Sequence, residues 1–296
     1  MTTSVLRCAI VAGLAGLILA QAARADSVNG QFELDGKALQ PGEVAAFRIR
    51  DQFNPRQFQT YVMLTTRPVQ REAIAADSDP YTAAINDDAA MHADYLAFFV
   101  SKDGEVSMNA HVDGTQYIDS SGTIMGQRGA LLAECSQNTE QRVACTVKVA
   151  RPVQPADGPG WSVDVDFDSA VLMRPAGKPL PKDGGEPGKT LLALVAAAQG
   201  DDLARIIALL TPTEAQDYQR DYNSPEENLA NARQMFNLTL PKQPRITGGE
   251  LLDDNIALLE VEGVPNPGMR MLYLVRLERH EGRWGYAYST PVGMLD

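Results

Sequence analysis

Two spacings of apolar residues divide this chain. Up to Met173 they recur mostly at every second position, in short runs separated by turn signals. Residues 28–39 alternate through Phe32 and Leu34 and break at Asp35-Gly36, a hairpin pair. Residues 44–49 and 59–65 repeat the alternation across the loop DQFNPRQ. Residues 95–100 and 105–111 flank Lys102-Asp103-Gly104, the clearest hairpin signal of the chain. Strands over 130–134 and 143–149 follow, joined by a polar turn. In 161–173, Val163, Val165 and Phe167 share one face, and Asp164, Asp166 and Asp168 the other. Residues 70–90 are rich in Ala and Asp and contain Pro80, which predicts a long loop with one helical turn. Short strands at near-regular spacing predict an all-β unit over 26–173, an antiparallel sandwich or partly open barrel.

Beyond residue 190 the spacing becomes helical. Residues 191–199 predict an Ala-rich helix ended by Gly200, with Asp201 placed to cap the next one. Leu203, Ile206, Ile207 and Leu210 fall at i, i+3, i+4 and i+7, one buried helical face that Thr211-Pro212 should end. Thr213 to Gln216 fits a capping box, and Ser224-Pro225-Glu226-Glu227 is a stronger one. Leu229, Ala232 and Phe236 mark the inner face of the helix that follows. From Pro241 the period is two again. Strands are expected over 245–252, 255–261 and 269–279, the last with Met271, Tyr273, Val275 and Leu277 on one face. After the turn at His280 to Arg283, Trp284, Tyr286 and Tyr288 share a face of the closing strand. Between the two patterns lies RPAGKPLPKDGGEPGK, residues 174–189. Its four prolines and four glycines predict a linker between two domains, 26–173 and 190–296.

The second part resembles the NTF2-like superfamily. The resemblance lies in LLALVAAAQGDDLARIIALLTPTE, a helix, a Gly-Asp break and a second helix, and in the closing RLERHEGRW and EGRWGYAY. It implies an α+β cone, with helices packed on a curved antiparallel sheet. Members include ketosteroid isomerase-like enzymes and many non-catalytic binding or assembly modules. No catalytic set carries over onto these positions, and residues 26–173 resemble no family.

Composition adds location. Hydrophobic content of 44% and charged content of 22% over 296 residues are those of a globular protein. Residues 1–25 read as a secretory signal peptide: Arg7, the apolar run AIVAGLAGLILA, and the small-x-small site Ala23-Arg24-Ala25. Cleavage there starts the mature chain at Asp26; the alternative is an uncleaved anchor. Cys8 precedes the apolar run, where a lipidated cysteine would follow it. The first 25 residues carry only Arg7 and Arg24 as charged groups, so their removal takes the net charge from −12 to −14. Such a surface argues against nucleic acid and anionic lipid as partners. No other apolar run approaches membrane length, so the expected location is the periplasm or the exterior. Cys135 and Cys145 are then the only cysteines, which predicts a disulfide.

Chemistry is thin. The Asp164, Asp166, Asp168 row has calcium-binding atoms but lacks the looped spacing, so a solvated strand face is the expectation. His92 and His111 have no ligand or acid partner at motif spacing. Gly188-Lys189-Thr190 resembles the end of a phosphate loop, but the glycine that loop requires is Asp183. No cofactor or metal is expected. Three readings remain. The first is a non-enzymatic exported binding module for a small apolar ligand or a protein partner, with Tyr273, Trp284, Tyr286 and Tyr288 around a cavity; the same aromatics could instead fill the core. The second is an enzyme acting on a small apolar molecule, for which Glu260 and Glu262 are the nearest carboxylates. The third is an envelope assembly or inhibitory protein acting through protein contacts.

Overall fold

A computed structural model describes residues 25–51, 54–119, 131, 133–155, 158–200, 202–219, 224–266 and 268–295. The predicted leader lies outside the described residues, apart from Ala25.

The first part is mostly strand. β1 (Ser27–Leu34) and β2 (Lys37–Leu39) form the expected hairpin, with Asp35 and Gly36 both at positive φ. β3 (Glu43–Arg50) pairs with β4 (Phe58–Thr65). The segment expected as a loop instead carries α1 (Arg71–Ala76), α2 (Pro80–Ile85) and α3 (Asp88–His92). Pro80 opens a helix here rather than preventing one: Asp79 accepts the Thr82 N–H at 3.2 Å, and proline is tolerated in a first turn. β5 (Tyr95–Val100), β6 (Val106–Val112) and β7 (Thr115–Asp119) form a meander. The β6–β7 turn is Asp113-Gly114, a hairpin pair with both residues at positive φ. β8 (Ala133–Asn138) begins three residues later than expected, and β9 (Arg142–Lys148) pairs with it.

β10 (Trp161–Leu172) organises this part. Most of its length lies antiparallel between β1 and β9. Its last two residues, Val171 and Leu172, run parallel to Ala46 and Phe47 of β3. The handover joins all ten strands into one sheet that curls into a half-barrel. Phe32, Leu34, Val62, Leu64, Leu96, Phe98, Val163 and Phe167 fill its core. The other face of β3 to β5 carries a second cluster, where Phe47, Tyr61, Met63 and Ala97 meet Ile74 and Ala84 of the short helices. Both faces of β4 are therefore buried, and it reads as the continuous run YVMLT.

The stretch 174–189 is not free of structure. β11 (Lys178–Pro179) pairs with Leu251 and Glu250, and the Gly177 N–H donates to Glu250 Oε2 at 2.6 Å. α4 (Gly185–Ala198) starts six residues before the predicted Leu191. Pro187 lies in its first turn, where a missing N–H costs nothing. Gly188 has no alternative there: a Cβ would lie 2.0 Å from the Asp183 carbonyl oxygen.

α5 (Leu203–Ile207) is shorter than its apolar spacing suggested and is capped by Asp202 rather than Asp201. α6 (Pro212–Gln219) begins at the proline expected to end its predecessor, with Thr211 Oγ1 accepting the Glu214 N–H at 3.3 Å. α7 (Pro225–Thr239) carries the expected Ser224 cap. β12 (Arg245–Asp253), β13 (Ile256–Asn266), β14 (Met269–His280) and β15 (Arg283–Leu295) complete a five-stranded antiparallel sheet in the order β11 to β15. Its inner face presents Leu259, Val261, Val275 and Leu277 to Leu191, Leu194, Ile206 and Phe236 of the helices. This core shares no residue with the other two.

Candidate functional site

The four aromatics do not come together. Tyr273 and Tyr286 are buried in the helix-facing core, and Trp284 packs at its edge. Burial pushes both tyrosine phenols up from their ordinary pKa. Tyr286 stands edge-on to Phe236 with centroids 6.1 Å apart, and its hydroxyl donates to Ser289 Oγ at 3.1 Å. Tyr288 leaves this face. Tyr286 opposes Leu277 while Tyr288 opposes Arg276, so Ala287 is an extra residue in β15. One extra residue resets the alternation and sends Tyr288 to the far face of the sheet. A strict period of two could not reveal this.

A cleft of about 320 Å³ lies beside the aromatics rather than among them. Ile207, Leu210, Pro212 and Ala215 line it, with Arg283 on its rim. Its floor exists because residues 209–211 are stitched to β15. The Tyr286 N–H donates to Leu209 O at 2.8 Å, and the Thr211 N–H donates to Tyr286 O at 2.9 Å. Gly285 permits this approach, since a Cβ would meet the Leu210 carbonyl oxygen at 2.6 Å.

The far face of the second sheet carries a polar cluster built on Glu262. Glu262 on β13 is 7% exposed and accepts from three arginines. Arg245, its register partner on β12, donates Nε at 3.1 Å and also Nη2 to Oε2. Arg270 of β14 donates Nη2 to the same oxygen at 2.6 Å. Arg56, from the loop between β3 and β4, donates Nη2 to Oε1 at 3.1 Å. Burial acts to raise the Glu262 pKa, but the three guanidiniums together outweigh it and bring it down to about 2. A carboxylate held ionised this firmly is a poor general acid or base at neutral pH. Two residues along the strand, Glu260 pairs with Arg50, which also donates to the Pro55 carbonyl at 2.9 Å and so fixes the loop bearing Arg56.

The remaining candidates have structural partners. Asp164 meets Lys148 and Asp166 meets Thr146 on the outer face of β10, but Asp168 is buried and accepts from Arg142 Nε at 2.6 Å. The expected solvated row is therefore broken at its third member. His111 stacks on Tyr95, and Cys135 and Cys145 are bonded across β8 and β9. No protein-family model and no curated protein matches this chain.

Proposed function

We propose that this is an exported, non-enzymatic binding protein of two domains, the second of them NTF2-like, and that the cleft between α5, α6 and β15 is its recognition site. The ligand is a small apolar molecule or an apolar side chain of a protein partner. The observation that carries this reading is the cleft wall: Ile207, Leu210, Pro212 and Ala215 offer apolar surface, and Arg283 stands at the mouth to orient a polar end. Four helices packed on one face of an antiparallel sheet also fit the resemblance of residues 190–296. The two carboxylates that an enzymatic reading would have used, Glu260 and Glu262, are both engaged by arginines on the opposite face.

A neutral apolar fluorophore, N-phenylnaphthylamine, tests the site. Its emission should rise saturably with the full chain, and Ala208→Trp, which places a bulky ring on the exposed wall of the cleft, should abolish the rise. Equal binding by this variant, shown folded by circular dichroism, would place the ligand elsewhere.

A further inference from the structure

The cleft between α5, α6 and β15 is apolar at its floor and polar at its mouth. Leu210 and Ala215 are buried, while Ala208, Pro212, Gln216 and Arg283 are exposed. Among the described residues that line it, Arg283 is the only charged one, and none is acidic.

Arg283 also differs from the arginines that precede it on the same hairpin. Arg276 donates Nε to Glu278 Oε1 at 2.8 Å, and Arg279 donates Nε to the Gly282 carbonyl at 3.3 Å. The Arg283 side chain makes no ion pair or hydrogen bond among the described residues. Its guanidinium keeps all its N–H donors for a ligand. The backbone that presents it is set by the turn before it, where Glu281 and Gly282 are both at positive φ and Arg283 pairs with His280.

An uncompensated cation at the mouth of an apolar cleft is complementary to a molecule with an apolar body and one anionic end. The net charge of the chain is −12, so anions are repelled from most of its surface and gather only where a cation is left unanswered. One guanidinium matches one carboxylate, which it holds through two parallel N–H···O bonds. A doubly charged head would leave one charge without a partner. Gln216, from α6, adds an amide donor beside it. The volume, about 320 Å³, lies at the lower end of small-ligand pockets, which start at roughly 300 Å³. It admits one short chain or ring system rather than a two-tailed lipid.

We infer that the cleft takes a small amphiphilic monocarboxylate, such as a medium-chain fatty acid, with its tail against Leu210 and Ala215 and its carboxylate on Arg283. The inference rests on the reading of this cleft as the recognition site; it adds the chemical class of the ligand and makes Arg283 the residue that selects it.

Isothermal titration of the full chain with octanoate and with octan-1-ol, at neutral pH and low ionic strength, separates the head from the tail. Both should bind through the shared tail, and octanoate at least about fivefold more tightly, less than a buried charge-assisted hydrogen bond would give because the mouth is exposed. Arg283→Gln should remove the preference and leave the affinity for octan-1-ol unchanged, a pattern that a merely structural arginine would not give. High salt should shrink the preference in wild type. Ala208→Trp should weaken both ligands alike. Equal affinity for the two ligands, or a preference that persists in folded Arg283→Gln, overturns the inference and leaves the cleft standing as the site. No saturable binding of either ligand also overturns it, and the emission of N-phenylnaphthylamine then decides whether the cleft reading falls with it.

Discussion

The hydroxyl of Tyr288 lies 2.5 Å from the hydroxyl of Ser78, although 210 residues separate them. Ser78 lies between α1 and α2, so the contact joins the two parts of the chain. Arg50–Glu260 and Arg56–Glu262 join them on the same face of the second sheet. Leu258, Leu272 and Leu274 alternate with the helix-facing residues and are also buried on that face. The two parts therefore pack together rather than hanging on a free tether.

This contact predicts a coupled unfolding. Tyr288→Phe removes one hydrogen bond and leaves the buried Ser78 hydroxyl without it, which should cost about 1 kcal/mol. Urea unfolding followed separately by the fluorescence of Trp161 and of Trp284 measures it. Wild type should give coincident transitions, and the variant should separate them. Separate transitions already in wild type would mean the interface does not couple the two cores, and no single stability would describe the chain.

Glu262 predicts an acid limb of stability. Its folded pKa is depressed to about 2 from an ordinary value near 4.5. The folded state then binds fewer protons than the unfolded state between these values. The stabilisation is complete above about pH 4.5 and is lost as pH falls toward about 2. Glu262→Gln should flatten this limb and lower stability at neutral pH by about 2 kcal/mol, the worth of a lost charged hydrogen-bond set. Thermal melts from pH 2 to 7 provide the measurement; an unchanged acid limb in the variant would show that other carboxylates govern it.

Strand alternation carried much of this fold. β10 is readable because Val163, Val165 and Phe167 alternate with acids, and β14 because Met271, Tyr273, Val275 and Leu277 recur at every second position. What escaped was set by tertiary contact. The helices α1 to α3 are too short to be stable alone and exist because Ile74 and Ala84 cover the second face of β3 to β5. Tyr288 left its expected face through one inserted residue, Ala287. The arginine cluster is invisible in the sequence because its members lie at positions 56, 245 and 270 and meet only through sheet register and packing between the two parts. Glu260 and Glu262 alternate with Leu259 and Val261 as on any half-exposed strand, and nothing local to them indicates that Glu262 is nearly buried.

The Cys135–Cys145 bond spans ten residues of sequence and ties β8 to β9. In the chain-entropy account a loop of this size stabilises by about 3 kcal/mol. Cys135→Ser with Cys145→Ser should lower the unfolding free energy by that order, as measured in urea. Thiol labelling of denatured, unreduced protein from an oxidising compartment should find no free thiol, and two free thiols would contradict the bond.

Export predicts a mature N-terminus at Asp26, and the contacts of that residue give the prediction weight. Asp26 Oδ1 accepts the Ala170 N–H at 2.8 Å, and Oδ2 meets Arg71 Nη2 at 2.5 Å. Intact mass of the protein recovered from the cell envelope should correspond to residues 26–296, and a mass retaining Met1 would refute cleavage.

Proteolysis should now be narrower than a Pro- and Gly-rich stretch of sixteen residues would suggest. Arg174 is held by Glu250, Gly177 and Leu180 donate backbone N–H groups to Glu250 and to the Gly249 carbonyl, and the helix starts at Gly185. Between these anchors Pro175, Ala176, Pro181, Lys182 and Asp183 are exposed without a strand or helix. Proline follows both Arg174 and Lys178, which blocks trypsin at those bonds. Within this stretch, the first tryptic cut should therefore fall after Lys182. Cutting there leaves the two cores intact but joined by the ion pairs of Arg50 and Arg56 and by the Tyr288 contact. The fragments should co-elute in low salt and separate more readily at high ionic strength, because partly exposed ion pairs are screened. Mass spectrometry of a trypsin time course, followed by size exclusion in both buffers, reads both outcomes. A first cut after Lys189 would show that the opening turn of α4 frays. Fragments that separate completely in low salt would show that the packing between the two parts depends on the covalent connection.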